Sequence, residues 1–134
     1  MELFEPYKIT ILVMGLAGLV FLLQIIIVDV LGIKAKHVPG YPIPSDHSDL
    51  LFRASRTLSN TNESVAIFIL FVGFAILSSA NPHWLNISAV VYLVGRVAHM
   101  VFYYSNLQLC RSIAFAVSLI GLLAMFVVGI LPWL

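Results

Sequence analysis

The sequence predicts an all-α integral membrane protein, a single domain built as a bundle of four transmembrane helices. Hydrophobic residues make up 61% of its 134 residues and charged residues only 10%, against roughly 25% charged in soluble domains. A soluble domain this small needs polar residues to cover its large exposed surface. The apolar residues are also gathered in segments close to the ~20 residues that cross a bilayer. We therefore expect one membrane domain over residues 1–134.

The first span is predicted from Ile9 to Val28, and it continues to Ile33 with Asp29 as its only charge. It is too long for a cleaved signal peptide. Residues 37–44 follow with three prolines and a glycine, and this composition excludes a helix. A loop between the first two spans is therefore expected here.

The second span needs polar residues to reach full length. Its apolar run, residues 64–77, is too short to cross a bilayer, so Asn60 and Glu63 must lie inside the membrane or at its rim. Ser45 and Asp46 offer an N-cap. We expect helix two to start near there and to end at about Ala80.

The last two spans are predicted from Leu85 to Tyr104 and from Ile113 to Leu134. Asn81 and Pro82 form the turn before helix three, and residues 105–106 lie in the link to helix four. Helix four carries no charge from Ile113 onwards. Four spans and three short connections result.

Charge and cysteine content exclude several classes of function. Seven basic and six acidic residues give a formal charge of +1, so there is no basic excess with which to bind nucleic acid. Cys110 is the single cysteine, which excludes an internal disulfide and a cysteine-based zinc cluster. We expect no nucleic-acid partner and no metal.

The distribution of Lys and Arg predicts the orientation in the membrane. The first connection and its flanks carry four basic residues and the third carries Arg111, whereas the second carries none. Loops one and three are therefore predicted to face the cytoplasm, with both termini outside. Trp84 and Trp133 then lie at the outer interface. The basic residues around loop one are Lys34, Lys36, Arg53 and Arg56.

Polar residues inside the spans form two stripes at helical spacing. Arg56, Asn60 and Glu63 follow one face of helix two, and Arg96, His99 and Tyr103 follow one face of helix three. Because intramembrane charges are costly, such residues face a bundle interior, a cavity or a partner. We expect the stripes to converge on one polar site that opens to the cytoplasm, beside Arg111 at the start of helix four.

Structural explanations compete with this functional interpretation. Glu63 and Arg96 can form an ion pair that fixes helix packing, with Asn60 as an additional interhelical hydrogen bond. Arg111 can serve only as a positive anchor, and His99 only as a hydrogen-bonded bundle residue. Tyr103 and Tyr104 also suit a membrane interface, Asp29 and Lys34 suit an exposed pair, and the Cys110 thiol suits an incidental position.

Two motifs resemble the MAPEG family, the membrane-associated proteins in eicosanoid and glutathione metabolism. The first is Arg56-Thr-Leu-Ser-Asn60-Thr-Asn-Glu63 on helix two, which is similar to the family's Arg-x-x-x-Asn-x-x-Glu signature. The second is Arg96-Val-Ala-His99-Met-Val-Phe-Tyr103 on helix three, followed by Arg111-Ser112. The motifs look most like those of the microsomal prostaglandin E synthases and glutathione transferases, although the link from Tyr103 is one residue shorter here.

The resemblance implies a homotrimer that binds glutathione as co-substrate between neighbouring subunits. It implies that Arg111 comes from the neighbouring chain and activates the glutathione thiol, with Ser112 and Tyr103 beside it. Lys34 loosely matches a basic residue at the end of helix one in relatives. The implied glutathione contacts are Arg56, Asn60, Glu63, Arg96, His99, Tyr103 and Lys34.

The function that we predict is glutathione transfer, or peroxidase activity, toward lipophilic electrophiles at the membrane. We expect a multi-pass protein of a bacterial inner membrane, or of the endoplasmic reticulum in a eukaryote, with membrane lipid and an apolar substrate as partners. Two alternatives are a small multidrug transporter and a non-catalytic lipid-binding protein of the same fold. The transporters carry their essential glutamate in helix one, where this chain has only Asp29.

Overall fold

Four long helices account for most of the chain in the computed structural model, which describes residues 2–134. All four are long and apolar enough to span a membrane, which confirms the all-α class and the four predicted spans. Short 3-10 turns, Glu2–Tyr7 and Leu131–Trp133, flank them. The helices are α1 (Lys8–Lys34), α2 (Leu50–Leu77), α3 (Pro82–Tyr104) and α4 (Gln108–Ile130).

Helix α2 begins later than the sequence predicts. Its N-cap is Asp49, whose carboxylate accepts a hydrogen bond from the backbone of Leu51. The predicted cap at Ser45 and Asp46 is wrong, because the Asp46 carboxylate instead accepts from the backbone and hydroxyl of Ser48. Asp46 thereby closes a local turn of a kind that aspartate favours, and the helix starts after that turn.

The boundaries of α3 and α4 follow local chemistry. The Asn81 side chain caps α3 by accepting from the backbone of His83 and Trp84, and Pro82 occupies the first turn, where no N–H is needed. Helix α4 begins at Gln108, three residues before Arg111, where the sequence predicts its start, and Pro132 falls in the 3-10 turn that follows the helix.

The bundle has two distinct ends. The loop-one end comprises loop one, residues 35–49, and the α3–α4 link, residues 105–107. The turn end comprises residues 78–81 and both terminal segments. At the turn end, the Tyr7 hydroxyl donates to the Ala80 carbonyl over 2.6 Å, and the Thr10 hydroxyl donates to Asn86 over 2.8 Å. These bonds fix α1, which is otherwise mostly exposed and apolar.

Helices α3 and α4 approach each other most closely. A Cβ added at Gly121 would lie 2.6 Å from the Tyr92 backbone nitrogen, and one added at Gly95 would lie 2.6 Å from that of Ser118. Small residues allow such backbone approach between membrane helices. Tyr92 also stacks on Phe68 of α2, with ring centres 4.5 Å apart, so α3 connects both neighbours.

Candidate functional site

Arg96 is buried in the bundle and bonded to α2. Its side chain is 3% exposed and donates to the Asn60 amide oxygen over 2.7 Å and to the Thr61 hydroxyl over 2.8 Å. The alternative of a Glu63–Arg96 ion pair is wrong for the single chain, since the only ion pair within residues 2–134 joins Lys8 to Glu5. Thr61 and Glu63 are two residues apart, about 200° around a helix, so they point to opposite sides.

The outward face of α2 carries two charges with no bond inside the chain. Arg56 and Glu63 are both exposed, and no hydrogen bond or ion pair in residues 2–134 involves either side chain. They are seven residues apart, about 10 Å along the helix. Asn60 lies between them, half-buried. An intramembrane charge facing outward needs a partner outside the chain.

Tyr103 stands at the centre of a second group of polar side chains. The Arg111 guanidinium carbon lies 4.3 Å from the centre of its ring, a cation–π distance. The His99 ring meets it edge-on at 5.4 Å. His99 is buried, and its Nδ1 has no hydrogen-bond partner among the described residues. Tyr103, itself 9% exposed, thus joins the end of α3 to the start of α4.

The start of α4 opens on a small polar cavity. Arg111 is half-buried, and Ser112 is exposed with its hydroxyl donating to the Gln108 carbonyl. A cavity of about 270 Å³ lies beside them at the loop-one end. It is lined by His47, Asn106, Gln108 and Arg111. The Arg111 side chain is therefore reachable by a polar ligand from this end of the bundle.

The two predicted stripes touch through the Arg96–Asn60 bond, but their outer members do not meet within the chain. No hydrogen bond or ion pair among residues 2–134 joins Arg56 or Glu63 to Tyr103 or Arg111. The resemblance implied that Arg111 reaches the site from a neighbouring chain. Within one chain, Arg111 accompanies Tyr103 and His99, while Arg56 and Glu63 face outward from α2. The chain thus presents two separate half-sites.

The remaining candidates take simpler positions. Lys34 and Asp29 are both exposed and form no ion pair with each other. Cys110 is a free, half-buried thiol. Tyr104 is half-buried, and its hydroxyl has no partner among the described residues. Within residues 2–134, no group of three or more His, Cys, Asp or Glu side chains could hold a metal ion.

Sequence reasoning missed three residues that shape this region. The Thr61 hydroxyl accepts a hydrogen bond from Arg96, as the Asn60 amide oxygen also does. His47 of loop one stacks on Tyr103. Gln24 of α1 is 0% exposed, and both of its amide atoms lack a partner among the described residues. Gln24 could have been singled out from the sequence, because it is a lone amide side chain in an apolar span. No signal in the sequence indicates the His47 contact.

These features define the class of protein. It is a multi-pass integral membrane protein with charged half-sites near one end of a four-helix bundle. The MAPEG family model matches residues 10–131, nearly the whole chain. The chain therefore belongs to the MAPEG family, a family of membrane proteins in glutathione and eicosanoid metabolism. None of the curated proteins compared with it matches.

Proposed function

We propose that this protein is a membrane-bound glutathione transferase, or peroxidase, acting on lipophilic electrophiles. The observation that carries the proposal is the Arg111 guanidinium, held 4.3 Å from the centre of the Tyr103 ring beside a polar cavity. A fixed positive charge there can stabilise a thiolate. Membership of the MAPEG family, whose members use glutathione, supports this choice of thiol.

The charges of the two half-sites are complementary to those of glutathione. The tripeptide carries two carboxylates, one ammonium and a thiol. Arginines such as Arg56 suit carboxylates, because a guanidinium makes paired, charge-assisted hydrogen bonds. The Glu63 carboxylate suits the ammonium. Both side chains are exposed and unbonded within the chain, so no internal contact has to break for them to bind a ligand.

Arg111 is the proposed activating residue. A thiol with a pKa near ~8.5 is mostly protonated at neutral pH, and the thiolate is the nucleophile. A neighbouring cation favours the charged form. Tyr103 is proposed to donate a hydrogen bond to the sulfur, and Ser112 is proposed to do so when its hydroxyl turns away from the Gln108 carbonyl. The thiol proton leaves to solvent through the polar cavity. The thiolate sulfur then forms a C–S bond with the carbon of an apolar electrophile that enters from the lipid, and the C–halogen bond of a substrate such as an aryl halide breaks, so that the halide leaves with its electron pair.

The proposed assembly is a homotrimer in which each site is shared by two chains. Arg56, Asn60 and Glu63 of one chain would face His99, Tyr103 and Arg111 of its neighbour. The separation of these two groups within one chain supports the arrangement, and it also gives the outward charges of α2 a partner. Lys34 is proposed to add a positive charge at the end of α1. Arg96 completes the proposed glutathione contacts through its place beside Asn60.

Conjugation of a chromogenic aryl halide by the purified protein tests the proposal. We expect product formation that requires glutathione and that saturates with its concentration. Proton-coupled efflux of a cationic dye without thiol conjugation would indicate the transporter alternative. Binding of fatty acid without turnover would indicate the lipid-binding alternative. In either case the proposed chemistry is wrong.

A further inference from the structure

His47 lies against the Tyr103 ring, although it belongs to loop one and to neither polar stripe. The two rings are nearly parallel, at 16°, with centres 6.3 Å apart. The His47 ring also packs edge-on against Phe52 of α2, with centres 5.0 Å apart. Loop one is therefore in contact with the same tyrosine ring on which the Arg111 guanidinium lies.

The backbone of His47 is held in place by its neighbours. Arg53 donates from Nη1 to the carbonyls of His47 and Ser48 over 2.6 and 2.9 Å, and from Nε to the carbonyl of Tyr104 over 3.2 Å. One guanidinium thus ties the end of loop one to the end of α3. This links the segment that carries His47 directly to the helix that carries Tyr103.

The Asp46 carboxylate fixes the same segment from the other side. It accepts hydrogen bonds from the Ser48 backbone over 2.9 Å and from the Ser48 hydroxyl over 2.7 Å. These bonds favour the charged carboxylate and so lower the pKa of Asp46 below its usual value. His47 is consequently presented by a short, internally bonded turn.

Arg111 depends on the Tyr103 ring for its position. One of its terminal nitrogens, Nη1, is buried and has no hydrogen-bond partner among the described residues, and the ring below it is its defined contact. His47 and Arg111 also line the same 270 Å³ cavity. A shift of the tyrosine ring therefore moves the guanidinium, and His47 is one of the side chains that limit such a shift.

We propose that His47 is a positioning residue, which holds the Tyr103 ring through stacking and thereby sets the position of the Arg111 guanidinium. This inference rests on the proposed function for its catalytic consequence. The contact itself does not require the imidazole to ionise or to touch the substrate. An aromatic ring of similar size at position 47 is expected to perform the same role.

The test compares four purified full-length proteins: wild type, His47→Ala, His47→Phe and His83→Ala. His83 is the control, since it packs against Trp84 at the turn end. The first readout is the rate at which a dicarbonyl reagent modifies Arg111 in the absence of glutathione, followed by mass spectrometry of the peptide. The second is the thiolate absorbance of bound glutathione, with kcat and KM.

We expect His47→Ala to expose Arg111 and to weaken activation. The free energy of an aromatic pair of this kind corresponds to a roughly two- to tenfold change in a rate or an equilibrium constant. The rate of Arg111 modification should therefore rise by that factor. The thiolate fraction and kcat should fall by a similar factor, while KM for glutathione changes by less than about twofold. His47→Phe should restore all of these values and keep the wild-type pH profile. His83→Ala should leave them unchanged.

Two results would overturn the proposal. One is an unchanged modification rate of Arg111 in His47→Ala. The other is a His47→Phe protein that behaves like His47→Ala, since the imidazole chemistry would then matter and the stacking would not. If the wild type conjugates no glutathione, the modification assay still decides the contact between loop one and Arg111. In that case the proposed function fails separately. His47→Leu replaces His47→Ala if the latter does not fold.

Discussion

The guanidinium of Arg96 donates a 2.7 Å hydrogen bond to the amide oxygen of Asn60 and so joins the middle of α3 to α2. Both residues are proposed glutathione contacts by their motifs, and both also hold the bundle together. Arg96 in particular is 3% exposed and shares a second bond with Thr61. Loss of either residue is therefore expected to affect packing as well as binding.

A double-mutant cycle on Arg96→Ala and Asn60→Ala should reveal that packing role. Each single change removes a buried partner, and polar pairs in membrane bundles are worth about 0.6 and up to about 1.7 kcal/mol. We expect both variants to unfold more readily, and we expect the double variant to lose less stability than the sum of the two single losses, by an energy of that size in steric-trap unfolding. Additive effects would show that the bond contributes nothing measurable.

Arg111→Ala should separate activation from binding. The proposed contacts of the tripeptide with Arg56 and Glu63 are unchanged, so calorimetric affinity should change little, while the thiolate absorbance should disappear. Conjugation at neutral pH should fall by ~10²–10³ and recover in part as pH rises, because hydroxide then generates the thiolate. Ser112→Ala is the control without loss of charge and should have a smaller effect. A wild-type rate and pH profile would leave Arg111 as a topology anchor only.

Mixed trimers test whether each site is shared between chains. Glu63→Gln should weaken glutathione by at least about tenfold, from loss of a charged partner worth ~1.5–3 kcal/mol, and Arg111→Ala should abolish activation. At glutathione concentrations well below the wild-type Kd, we expect Glu63→Gln alone to keep at most about a tenth of the wild-type activity and Arg111→Ala alone to keep less. In randomly mixed trimers, roughly a quarter of the shared sites combine an intact Glu63 with an intact Arg111. We expect about that fraction of wild-type activity after co-expression, whereas sites within single chains would give no more than the mean activity of the two separate variants.

Gly121→Ala should destabilise the bundle without touching the proposed site. Its Cβ would lie 2.6 Å from the Tyr92 backbone nitrogen, so α3 and α4 must separate, and overpacking of this kind costs about 1–3 kcal/mol. Gly15→Ala is a matched control, because nothing lies within 4 Å of the added carbon. Thermal unfolding in detergent should show a lower Tm for Gly121→Ala only. Equal Tm values would argue against the close helix contact.

Cysteine labelling tests the predicted orientation. In a Cys110→Ser background, Tyr41→Cys places a thiol in loop one and His83→Cys places one at the turn end, and both positions are exposed. The Lys and Arg distribution predicts that an impermeant maleimide added to intact cells labels position 83 and not position 41. Labelling of position 41 from outside would reverse the topology.

The sequence by itself determined the four spans, because the length and polarity of apolar segments leave a membrane chain few other structures. It also determined the residue types of the candidate site, since charges inside a bilayer persist only where they have partners. The turn at Asn81 and Pro82 follows from local rules in the same way. Local rules misplaced the start of α2, because Asp46 and Asp49 are both good caps and only one can begin the helix.

Only the tertiary structure decided which polar residues meet. Helical spacing places Asn60 and Glu63 on one stripe, but it does not say that Arg96 bonds to Asn60 and Thr61 while Glu63 faces outward. That choice depends on the relative rotation of α2 and α3, which many packed side chains set together. The approach of His47 to Tyr103 depends likewise on where loop one is tied down by Arg53. Contacts between distant segments arise from the packing of the whole bundle, and no single segment of the sequence encodes them.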